Sequence, residues 1–104
     1  MQAFDHSQVV VPQSFVDLFV PPGRARAFAP REQIAARHDL CEDLAQALTE
    51  HALALRSRHD ATEQDVIEQV LAGLLSADSG LVSEEAMWVA RRLAELLDWR
   101  DVWL

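Results

Sequence analysis

Lysine, asparagine and tyrosine are absent from this 104-residue chain, and it holds one cysteine, three glycines and four prolines. Each shortage excludes something. A lone Cys41 cannot form an intrachain disulfide, so nothing points to an oxidising compartment. Three scattered glycines and no lysine leave no phosphate-cradling loop. Nine basic against seventeen acidic residues give a net charge of -8, which opposes nucleic-acid or anionic-membrane binding because phosphate neutralisation needs a basic surface. No apolar run approaches the ~18 residues of a membrane span. The first residues, MQAFDH, lack the basic and apolar regions of a signal peptide. No nucleophile elbow or H-E-x-x-H motif occurs, so an enzyme is not expected. The missing residue types, with abundant alanine, suggest the coding bias of a GC-rich bacterial genome. A cytoplasmic location is the expectation.

What is present is helical patterning. Half the residues are apolar and a quarter charged, an ordinary globular composition for one domain over 1–104. Residues 30–60, PREQIAARHDLCEDLAQALTEHALALRSRHD, form the longest breaker-free stretch and predict a single helix of about 45 Å. Ile34, Cys41, Leu48 and Leu55 recur every seven residues, with Leu40 and Leu44 on one side and Ala45 and Ala52 on the other. A stripe that wide suits a helix packed against two neighbours. Glu32, Asp39, Glu42, Asp43 and Glu50 take the opposite face, more simply solvated than a docking site for a basic partner.

The remaining elements follow from the punctuation. Residues 1–8 show no periodicity and are expected to be mobile. Val9, Val10 and Val11 suggest an extended strip, and 12–20 a short helix starting at Pro12 with Phe15, Leu18 and Phe19 on one face. Pro21, Pro22 and Gly23 turn the chain. The following RARAFAPR is read as a connector with Arg24, Arg26 and Arg31 outside and Phe28 in the core, rather than as an anion-binding arm. Beyond 60, two N-caps compete, Asp60 and Thr62, before Val66, Ile67, Val70, Leu71, Leu74 and Leu75. Gly73 edges that face, where another backbone could approach closely. Gly80 ends the helix, and Ser83 opens the last one, with Ala86, Val89, Ala90, Leu93, Leu96 and Leu97 inward. The expected fold is an all-α small helical bundle: one long central helix, two shorter helices and a short N-terminal helix.

Two features bear on function. Trp88, Arg92 and Trp99 fall on the side of the last helix away from Leu93, joined by Trp103 if the helix continues, and such a ridge needs cover. Residues 9–20 can supply it; otherwise these four form a partner-binding surface. The long helix also exceeds the ~13 Å radius of gyration of a domain this size, which favours a two-fold homodimer unless the later helices line it end to end. His38, Cys41 and Glu42 have metal-ligand spacing on one helix, but make three ligands at most, and His51 lies elsewhere on the wheel. A cysteine in an apolar stripe is usually a small hydrophobe, so no metal or cofactor is implied.

The segments VPQSFVDLFVPPGR, PREQIAARHDLCEDLAQALTEHA and RRLAELLDW together resemble a family of short bacterial proteins of unknown function, some labelled "ATPase with chaperone activity". The resemblance covers most of the chain after residue 8 and implies a stand-alone bacterial domain. It carries no functional residue, and the missing phosphate-binding loop does not support the ATPase label. The leading expectation is a cytosolic protein–protein interaction module, self-associating or with another protein partner. The alternative is a metal- or small-ligand-binding regulator built on His38, Cys41 and Glu42.

Overall fold

The computed structural model describes residues 10–104 and is all-α. The stretch 1–8 expected to be mobile, and Val9, lie outside the described residues. The helices are α1 (Gln13–Val16), α2 (Arg31–His59), α3 (Glu63–Leu74) and α4 (Ser83–Leu96), and no strand occurs among the described residues. The chain groups into two compact units, one ending at His38 and one spanning Asp39–Leu104, so the division falls inside α2.

In the first unit, Pro12 is the residue before α1 rather than its first member. Its carbonyl accepts from the N–H groups of Phe15 and Val16 at 3.0 and 3.1 Å. A 3₁₀ turn, Asp17–Phe19, ends the element. The prolines then turn the chain as their type predicts: Arg24 N–H reaches the Pro21 carbonyl at 3.1 Å and Gly23 has φ 76°, the second central residue of a type II turn. Phe15 and Phe19 are buried 5.6 Å apart, and His38 meets Phe15 edge-on at 5.4 Å. Phe28 corrects an expectation. It is 69% exposed, resting on Phe19 with its N–H on the Phe19 carbonyl at 2.7 Å, because the loop is fixed through its backbone rather than by burying the ring.

The long helix forms as its pattern demands, 29 residues or about 44 Å. Its start is marked by the Ile34 N–H on the Pro30 carbonyl, and its end by Asp60 at φ 51°, with Ala61 N–H returning to the Arg56 carbonyl. Asp60 therefore terminates α2, and Thr62 caps α3. The Thr62 hydroxyl accepts from Asp65 N–H at 3.0 Å, and the Asp65 carboxylate accepts from Thr62 N–H at 3.5 Å. The buried positions of α2 are Ile34, His38, Cys41, Ala45, Ala52 and Leu55, with Leu48 half-buried in the same line. Their spacing alternates four and three, a single seam narrower than the expected stripe; Leu40 is 45% exposed.

In the second unit, α3 turns inward Val66, Ile67, Val70 and Leu74, while Leu71 is half-buried and Leu75 exposed. Gly80 at φ 78° closes the 3₁₀ turn Ala77–Ser79 in the α3–α4 connection. Ser83 is the first residue of α4, not its cap. Glu85, 3% exposed, accepts the Val82 N–H at 3.1 Å and does the capping. Among the described residues, chain neighbours and its own helix backbone aside, nothing lies within 4 Å of where a Cβ of residue 73 would sit, so none of them makes the close backbone approach expected there. From Glu85 to Ala94, α4 buries seven side chains: Glu85, Ala86, Trp88, Val89, Ala90, Leu93 and Ala94. A helix buried that far round has no slack. Ala90→Leu should destabilise the protein by about 1–3 kcal/mol through overpacking, read as a lowered urea midpoint with unchanged slope.

Candidate surface at the C-terminal end of α4

The site begins where α4 stops. Trp99 N–H bonds the Ala94 carbonyl at 2.9 Å and Asp98 N–H the Glu95 carbonyl at 3.1 Å, with Asp98 left-handed at φ 58°. This pair of bonds is the Schellman arrangement, here built on aspartate rather than glycine. It turns the chain away from the helix axis, so Trp99 and Trp103 leave the line through Trp88 and Arg92. The exposed four-residue ridge therefore does not form. Trp88 is 8% exposed and Trp99 6%, while Trp103 is 78% exposed.

Arg92 also proves to be internally engaged. Its Nε donates to Glu42 Oε1 at 2.8 Å and its Nη2 to Glu42 Oε2 at 3.1 Å, a bidentate pair that joins α4 to α2 across 50 residues. Its Nη1 reaches Glu95 Oε1 at 3.2 Å. The hydrogen bonding that Arg92 donates to the Glu42 carboxylate raises the Arg92 pKa above its ordinary value, against a smaller opposing effect of burial. With the folded value raised, the contribution of Arg92 protonation is fully present below the ordinary arginine pKa and is lost only as pH rises beyond it. Trp99 carries the Arg56 guanidinium over its ring at 5.6 Å, and Arg56 pairs with Glu63 at 3.0 Å.

Trp103 is held differently. Its N–H donates to Gln64 Oε1 at 3.1 Å, and its carbonyl accepts from Gln64 Nε2 at 3.0 Å. One side-chain amide thus treats residue 103 as a neighbouring strand would, and Gln64 also donates to Glu68 at 2.9 Å. The backbone is pinned to the first turn of α3 while the indole stands in solvent. Sequence reasoning found Trp103 but not Gln64, since a partner 39 residues away leaves no local signal.

The weak metal candidates are not assembled into a site. Cys41 is fully buried, His38 packs against Phe15, and Glu42 is committed to Arg92 and to Gln46 Nε2 at 2.9 Å. Among the described residues no three histidine, cysteine or carboxylate side chains are placed to hold a metal ion. No protein-family model, curated protein or solved structure matches the chain.

Two substitutions probe this end of the molecule. A double-mutant cycle on Arg92→Ala and Glu42→Ala should give a coupling of about 0.5–1.5 kcal/mol; the bidentate geometry strengthens the pair, while partial exposure screens it. Asp98→Gly should stabilise by about 0.5–1 kcal/mol, as glycine takes the left-handed terminator without the steric cost of a Cβ, read as a raised melting temperature.

Proposed function

We propose that this protein is a small cytosolic helical protein–protein interaction module that self-associates, with Trp103 at the contact. The observation that carries this reading is an indole 78% exposed on a backbone already fixed by Gln64. A tryptophan on a frayed tail would have to be ordered on binding, whereas this one is ordered beforehand, so more of its apolar gain is kept. Tryptophan is also the residue most enriched at the energetic centres of protein interfaces. A charge of -8 opposes phosphate-rich partners, and no helix among the described residues is long and apolar enough to cross a membrane. In the simplest assembly, a homodimer, each copy covers the other's indole.

Sedimentation equilibrium at high micromolar concentration tests this. The wild type should weigh twice its 11.7 kDa. Trp103→Ser should shift it toward monomer while changing unfolding free energy by no more than about 0.5 kcal/mol, because the ring is already in water. A monomeric wild type, or a dimer indifferent to the substitution, would remove Trp103 as the self-association contact.

A further inference from the structure

A second surface lies on α2, apart from Trp103. Beside its buried seam runs a parallel lane with the same alternation of four and three: Leu40, Leu44, Ala47, His51 and Ala54. Leu40 is 45% exposed, Ala47 and His51 are exposed, and Leu44 and Ala54 are half-buried. The lane extends about 21 Å, four turns of helix. Near His51 it opens into a groove of about 250 Å³ between α2 and α3, bounded by Leu48, Leu55, Val70, Gly73 and Leu74. Glycine at 73 leaves that wall without a side chain, and among the described residues nothing from elsewhere in the chain comes within 4 Å of where its Cβ would be.

The lane holds no acidic residue and no arginine, but its outer rim is acidic. Asp43 and Glu50 stand exposed one heptad apart, and their carboxylates take no hydrogen bond or ion pair among the described residues. We propose that the lane and groove receive an amphipathic helix of a partner protein, its apolar seam flanked by arginine or lysine that reach Asp43 and Glu50. The spacing suits such a helix because flanking residues of a heptad also recur every seven positions. A second copy fits worse. Laid antiparallel on the lane it would set Asp43 against the mate's Glu50 twice, a local like-charge clash that contact through Trp103 does not require.

The test uses a dye-labelled synthetic helix of roughly 18 residues, five turns, with leucine and alanine in the seam and arginine at the flanks. A matched peptide has glutamate at the flanks. Fluorescence anisotropy should show the arginine peptide binding the full-length protein and the glutamate peptide not. Leu40→Ser and Ala47→Gln leave the charge unchanged and should each weaken binding about tenfold. Ala47 is already exposed, so its variant serves if Leu40→Ser fails to fold by circular dichroism. Asp43→Asn with Glu50→Gln should weaken binding about three- to tenfold and flatten its salt dependence. Asp78→Asn with Asp101→Asn makes the same charge change elsewhere and should leave binding intact, as should Trp103→Ser. The proposal is overturned if the arginine peptide fails to bind at about 100 µM, or if the Asp78/Asp101 variant loses as much affinity as the Asp43/Glu50 variant. It is equally overturned if Leu40→Ser rather than Trp103→Ser dissociates a wild-type dimer, since the lane would then belong to a second copy.

Discussion

Small side chains on buried helix faces are the constraint on which the second unit depends. Within it, α2 buries Cys41, Ala45 and Ala52, and α4 buries Ala86, Ala90 and Ala94, all at 7% exposure or less. How closely two helices can pack is set by the side chains between them. α4 buries seven positions in under three turns, and its Arg92 makes two hydrogen bonds to Glu42 of α2. Bulk is supplied by the larger side chains around them, among which Ile67, Leu93 and Val66 are fully buried and contribute about 1.5–3 kcal/mol each through their apolar area. Where alanines line a buried face, insertion is tolerated poorly, because a close-packed interior leaves no room for added atoms.

Much of this architecture was legible because helix punctuation is local chemistry. Pro12, Pro30 and Thr62 mark helix starts, with proline preceding a helix rather than opening it, whereas Gly80, expected to end α3, closes a separate 3₁₀ turn after the helix has already stopped at Leu74. The width of the α2 stripe was misjudged for a different reason. Hydropathy cannot distinguish Leu48, half-buried in the seam, from Leu40, which faces water one step around the wheel. It also cannot show that His38 occupies a seam position, since the ring is admitted by its edge contact with Phe15 and not by its polarity. Phe28 fails the same way: an aromatic in a loop reads as core, yet its backbone bond to Phe19 leaves the ring outside.

The candidate surfaces were less legible still. The ridge through Trp88, Arg92, Trp99 and Trp103 assumed that α4 runs on, and aspartate at 98 hides the stop, because terminators of this kind are recognised by glycine or asparagine. Once the chain turns at Asp98, the tryptophans separate into two buried and one bare. Arg92, whose type suggests an interface, is drawn inward by an acid on another helix that the sequence assigns to the solvated face. Long-range pairs such as Arg92–Glu42 and Gln64–Trp103 decide which polar residues remain available, and no window of local sequence contains both partners.

Gly73 links stability to the use of the surface. In the last turn of α3 glycine costs less than the ~1 kcal/mol of a helix interior relative to alanine, and among the described residues nothing beyond its chain neighbours and its own helix backbone would meet a Cβ there. Packing among the described residues therefore gives no reason for the position to be bare. A methyl group would narrow the groove between α2 and α3 at the wall facing His51 and Leu55. A marginal helix term and an open groove come from the same missing atom. The groove that Gly73 leaves open adjoins the exposed lane of α2, so the residue that weakens the end of α3 also gives the proposed docking surface its depth.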